Sequence, residues 1–143
     1  MKKILSIFML MGLMMTNINA QSDNFSKKLI GKWCNPYTYE DEGVFKGFHF
    51  KKNGKCTSIG IKDLDLKTWE VKDGRLIIKG KELDEEKKTW IDYEVNERIE
   101  KLENDSLYVI AQEKPFKMRF LYMKVKAIKK AVTPKVNNKH LKE

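Results

Sequence analysis

Leu29-Ile30-Gly31-Lys32-Trp33 is the stretch whose reading decides the fold. Gly31 lets the backbone turn tightly into a strand. Trp33 follows two residues later with the largest apolar side chain available for a barrel floor. Downstream, Asn53-Gly54 and Asp73-Gly74 are the strongest short hairpin signals a sequence can carry, because their residues tolerate positive φ.

The rest of the chain is expected as strands at regular spacing. After a short lead-in over 22–28, strands are expected over Ile30–Tyr37, Val44–Lys51, Lys55–Ile61, Leu66–Val71, Arg75–Gly80, Thr89–Ile99, a segment around Leu107–Ala111, and Phe116–Val125. Each alternates in polarity: Phe48 and Phe50 share a face, as do Trp69 and Val71, Tyr93 and Val95, and Phe120 and Tyr122. Glu40-Asp41-Glu42-Gly43 and Asn104-Asp105 are expected as turns, Glu82–Lys88 as a charged connection, and Lys114-Pro115 as a break. At the end of the domain, Ala127–Val132 has room for one helical turn.

Eight sequential antiparallel strands bury their apolar faces either as a sandwich or as a closed barrel. Closure removes the exposed edges, and short connections favour a meander. The expected fold is therefore all-β, an eight-stranded antiparallel up-and-down barrel, with a β-sandwich as the alternative.

The chain has 143 residues, enough for one domain. Lys2 and Lys3, the apolar run Ile4–Met15 and the small-residue approach to Ala20 read as an export signal over 1–20, cleaved before Gln21. That run is too short to span a bilayer, and no cysteine stands at the cleavage site to carry a lipid. A soluble periplasmic or extracellular protein is expected, with the barrel over 21–126 and a basic, flexible tail over 127–143. The net charge of the whole chain is +9. Seven lysines against one acid fall between Lys124 and Glu143, so the body is nearly neutral. Charge confined to a tail argues against nucleic acid as a partner. Cys34 and Cys56 enter an oxidising compartment after export. They can bridge if their strands bring them together, or act as two small half-buried hydrophobes.

Gly31-Lys32-Trp33 resembles the Gly-x-Trp signature of lipocalins. Closer still is the resemblance to small lipocalin-like proteins exported by Bacteroidetes. In those, the signature is followed by stretches matching Lys46-Gly47-Phe48, Asn53-Gly54-Lys55, the hairpin from Trp69 to Gly74, Leu76-Ile77-Ile78 and Ile99–Leu107. The resemblance implies a barrel open at one end with a pocket for a small apolar molecule. It also implies that an arginine from the last strand region packs over Trp33. Arg119 is the candidate, although alternation puts it on the face opposite Phe120.

Phe48, Phe50, Trp69, Tyr93, Phe120 and Tyr122 are then the expected inward aromatics and candidate ligand contacts. Gly31, Trp33 and Arg119 are the structural signature. In a barrel of this size most such rings fill the core, and only those near the mouth touch a ligand. His49 and His140 lack clustered partners for a metal, and Glu40-Asp41-Glu42 lacks the spacing of a calcium loop. No serine sits in a nucleophile elbow, and no glycine loop cradles phosphate. The expected function is non-enzymatic and needs no cofactor: an exported monomer that binds a small hydrophobic molecule without inserting in a membrane. The alternative is a protein-interaction or inhibitor module acting through the mouth loops.

Overall fold

A computed structural model describes residues 23–132 of the chain. The expected export signal and most of the basic tail lie outside the described residues.

Leu29 ends helix α1 (23–29), and Gly31 turns the chain out of it with a φ of +132°, a conformation that side chains resist. The elements that follow are β1 (Gly31–Cys34), α2 (Pro36–Glu42), β2 (Gly47–Phe50), β3 (Cys56–Ile59), β4 (Leu64–Lys72), β5 (Arg75–Asp84), β6 (Thr89–Glu103), β7 (Ser106–Gln112), β8 (Met118–Lys124) and α3 (Val125–Val132). The strands form one antiparallel sheet in the order β3-β2-β1-β8-β7-β6-β5-β4. The first strand thus pairs with the last, with Trp33 opposite Lys124 and Cys34 opposite Met123.

The sheet curls until its two edges, β3 and β4, meet. Lys55 bridges Thr68, the Trp69 backbone N–H donates to the Gly54 carbonyl at 2.9 Å, and the Trp69 Nε1–H donates to the Lys51 carbonyl at 2.9 Å. The expected up-and-down barrel is what forms, rather than the sandwich. Asp73-Gly74 turns with positive φ at both residues, +52° and +71°, as a tight hairpin of this type requires.

The structure departs from the expected boundaries at recognisable local signals. The first strand stops at Cys34 rather than Tyr37, because Asn35 caps a helix. Its Oδ1 accepts from the Tyr37 N–H at 2.9 Å, and Pro36 occupies the opening of the helix, where a missing amide costs nothing. Glu40-Asp41-Glu42-Gly43 is consequently not a free turn but the last turn of α2 and its glycine cap. The β5 strand continues to Asp84 and takes in half of the expected charged connection. Asp84 Oδ1 then accepts from the Glu86 and Lys87 amides, both at 3.0 Å, to make the turn. The expected single turn near Ala127 is a helix of eight residues, α3, which buries Ile128, so residues up to 132 are structured rather than part of a flexible tail.

Because the connections alternate between ends, one end collects α1 and the β2–β3, β4–β5 and β6–β7 turns. The other collects the loop bearing α2 and the β3–β4, β5–β6 and β7–β8 connections. The first end is the floor. There Leu29, Trp33, Phe50, Cys56, Trp69, Leu76 and Leu107 are buried in one cluster, and the Trp33 Nε1–H donates to the Leu29 carbonyl at 2.7 Å. That bond ties the end of α1 across the floor. Apart from Lys124–Asp105 beside the floor, the ion pairs among the described residues are exposed, where each contributes at most about 1 kcal/mol, so the interior holds the fold.

Trp69→Phe is expected to cost about 1 kcal/mol, since it removes one seam hydrogen bond while the Lys51 carbonyl keeps the Gly54 N–H at 3.2 Å. Trp69→Ala, which also removes the ring packed at 5.0 Å on Phe50, is expected to cost about 3–5 kcal/mol. Urea unfolding of the two variants beside the parent checks both values.

Candidate functional site

Strand alternation and register decide which side chains enter the barrel. On β6, Val95 lies opposite buried Ile78, and Glu97 lies opposite buried Leu76. Tyr93, Val95, Glu97 and Ile99 therefore share the inward face, as do Phe120 and Tyr122 on β8 and Phe48 on β2. Tyr93 faces Gly80 across the β5–β6 pair. A Cβ at Gly80 would stand 2.4 Å from the Asp65 carbonyl oxygen, so glycine is what lets β4 approach β5 there.

The six expected ligand-contact residues divide by depth. Phe50 is fully buried, and Trp69 is nearly so with its indole N–H engaged at the seam; both complete the floor. Phe48 stands between floor and cavity, its ring 5.8 Å from Phe50 and 5.3 Å from Tyr122. Tyr93, Phe120 and Tyr122 are half-buried in the wall, Tyr122 opposite the floor residue Leu107.

Glu97 belongs with this half-buried group, opposite the floor residue Leu76, and was not among the residues expected to line the site. Burial pushes its carboxyl above the usual glutamate range. Burial likewise raises both tyrosine hydroxyls, and the Glu97 charge raises them further, with Glu82 adding to the effect at Tyr93. Among the described residues the side-chain oxygens of Tyr93, Glu97 and Tyr122 make no hydrogen bond, yet no side-chain oxygen or nitrogen is both fully buried and unpaired. These three oxygens therefore reach solvent-accessible space inside the barrel. A packed core would have forced them into protein hydrogen bonds. The signal was legible: Glu97 continues the alternation of Tyr93 and Val95, a carboxylate on the apolar face of a strand.

Arg119 does not cover Trp33. It lies on the outer face opposite Ile110, with its Nε 2.6 Å from Glu100 Oε2. Lys124 takes the covering position, because register with Trp33 puts it at the same level and on the same face. Its Nζ lies 5.4 Å from the indole centroid, a contact worth about 0.5–1 kcal/mol.

Cys34 and Cys56 are both free thiols. Cys34 is level with Gly47 and Ile59, whereas Cys56 is level with Phe50 and Gly31. A whole strand separates them, roughly 10 Å across two strand spacings, and the odd offset in register points one outward and one inward. Burial pushes the Cys34 thiol up to about 11 and the Cys56 thiol to about 12, which makes both poor nucleophiles. His49 sits on the outer face of β2 opposite Lys32; slight burial and the charges of Lys32 and Lys51 lower its pKa. His140 lies outside the described residues.

The mouth carries exposed apolar side chains on each of its four connections. Tyr37 and Val44 project from the loop bearing α2, Ile61 from β3–β4, Trp90 and Ile91 from β5–β6, and Phe116 and Met118 from β7–β8. Phe116 is 78% exposed and Trp90 50%, values no folding argument explains.

A family model described as lipocalin-like matches residues 25–125, the whole of the described barrel. Among solved structures, the chain is similar to a lipocalin-like protein from Bacteroides thetaiotaomicron, with 23% identity and a TM-score of 0.54 over 67% of this chain and 97% of that one. At that identity the likeness concerns the fold alone. Comparison with curated proteins finds no match.

Two outcomes follow from these groups. In the native protein, iodoacetamide at neutral pH is expected to leave both thiols unmodified, whereas urea exposes both. An intact mass lacking two hydrogens, the mark of a bridge, would contradict the placement of the cysteines. For Glu97, a folded pKa above the unfolded one means its contribution to stability is largest in acid and is lost as pH rises through the folded pKa. Glu97→Gln is therefore expected to raise the denaturation midpoint at neutral pH, an advantage that disappears below the ordinary glutamate range.

Proposed function

The chain belongs to the lipocalin-like family, and on that premise we propose that it is an exported binding protein that takes a small apolar molecule into its barrel, as a carrier or a sequestering agent. One observation carries the reading. The oxygens of Tyr93, Glu97 and Tyr122 stand on the inner face without protein partners and without being sealed, which supports space for a ligand inside the barrel beside a closed floor. Export is supported by Lys2-Lys3, the apolar run Ile4–Met15 and the cleavage-like approach to Ala20.

Binding works by transfer of apolar surface from water to a wall that is already formed. Each buried methylene contributes about 0.8 kcal/mol, against about 4 kcal/mol or more for lost translation and rotation. A ligand must therefore bury at least about five methylenes before affinity appears, which favours amphiphiles and larger apolar molecules over small polar metabolites. No step of bond making is involved: the site supplies shape, apolar area and a few polar contacts.

The exposed apolar rim supports a second reading, in which the mouth docks on another protein and the barrel is a rigid support. Native mass spectrometry of protein purified from its own host separates the two. The carrier reading expects a polypeptide beginning at Gln21 with extra mass that disappears on denaturation. Bare protein that also fails to take up fatty alcohols, together with a stoichiometric protein partner lost on Trp90→Ser and Phe116→Ser, would establish the second reading instead.

A further inference from the structure

We propose that the barrel selects ligands carrying a basic nitrogen: amphiphilic amines, with the ammonium group held by Glu97 among the hydroxyls of Tyr93 and Tyr122 and the apolar part against Phe48 and Phe120. The proposal rests on the carrier reading and specifies its ligand class.

The charges on the inner wall decide it. By register, the ionisable groups on the inward face of these strands are Glu82, Asp84 at the strand end, and Glu97, with the two tyrosines. The strand lysines and arginines of this level, Arg75, Lys79, Lys81, Arg98 and Arg119, alternate to the outer face, where Lys81 and Asp92, Arg98 and Glu113, and Arg119 and Glu100 pair with one another. Lys124 is inward, but it is at the floor against Trp33 and within 3.9 Å of Asp105. A strongly basic protein thus presents an interior of the opposite sign.

Glu97 is the singular group in that interior. It is half-buried, forms no ion pair among the described residues, and accepts no hydrogen bond there, although a carboxylate offers about four acceptor positions. A half-buried carboxylate without partners is costly, and stable folds retain one where a ligand completes it. Tyr93 and Tyr122 are near enough for the Glu97 charge to act on both. Their hydroxyls can accept from an ammonium or donate to Glu97, so an N–H-bearing cation supplies the donors that the carboxylate lacks. The surrounding rings favour the same choice, because a cation is attracted to aromatic faces and a carboxylate is not. An anionic amphiphile such as a fatty acid would place like charges together.

The test compares three probes with one alkyl chain, decylamine, decanol and decanoate, by isothermal titration at neutral pH with wild type, Glu97→Gln and Tyr122→Phe. Wild type is expected to bind decylamine at least about tenfold tighter than decanol, about 1.4 kcal/mol. Glu97→Gln removes that preference, and Tyr122→Phe reduces it in part. A cooperative thermal unfolding transition for each variant shows that it is folded. Equal binding of decylamine and decanol overturns the amine selection and leaves the carrier reading standing. Tightest binding of decanoate overturns it in favour of an anion site. Failure of all three probes in wild type removes both readings.

Discussion

The structure depends on how Trp69 closes the sheet. Strands β3 and β4 are sequence neighbours, yet only a single bridge, Lys55 to Thr68, pairs them. Trp69 compensates with its backbone N–H on Gly54, its indole N–H on Lys51, and its ring on Phe50. An open eight-stranded sheet would expose two edges and a wide apolar face. Closing it at this point turns the face into an interior, and everything else in the molecule follows from having one. Trp33 then seals one end of that interior, tied by its indole N–H to the last carbonyl of α1 and covered by Lys124.

The interior is not uniform, and the difference between its halves is the basis of the functional account. The floor is made of fully buried apolar side chains whose polar atoms, the two indole nitrogens, are both bonded. Above it the wall becomes mixed: Phe48, Phe120 and Val95 alternate around Tyr93, Glu97 and Tyr122. A core built for stability alone would not place a carboxylate there, since an apolar residue at that position would avoid its desolvation. The molecule retains stability from the floor and seam and gives up some of it in the wall, a division expected of a binding barrel. The exposed aromatic and aliphatic residues around the mouth extend the apolar path outward from that wall.

Much of this was legible in the sequence, for reasons that can be named. The Gly-x-Trp stretch, two tight-turn dipeptides and period-two alternation fixed strand number, order and facing, because each of these signals is local. Three things were not read. Asn35-Pro36 is a helix-start signal of ordinary strength, but it lies inside an apolar strand-like run and was overridden by it. The residue covering Trp33 depends on the β1–β8 register, which no local pattern sets for a pairing between the first and last strands; alternation alone counted against Arg119 without pointing to Lys124. The relation of the two cysteines is likewise a matter of register across three strands. Glu97 is different in kind: its inward position was implied by the alternation, and its meaning emerges only when Tyr122 is brought in from β8.

The central claim is that an apolar ligand lies inside the barrel above the floor. The most direct measurement is a crystal structure of the protein soaked with ω-bromodecanol, with the bromine located by its anomalous signal. The account predicts a bromine peak within the upper interior, between the wall bearing Phe48 and Tyr122 and the wall bearing Tyr93. A peak found only on the outer surface, with the upper interior filled by side chains, would contradict it.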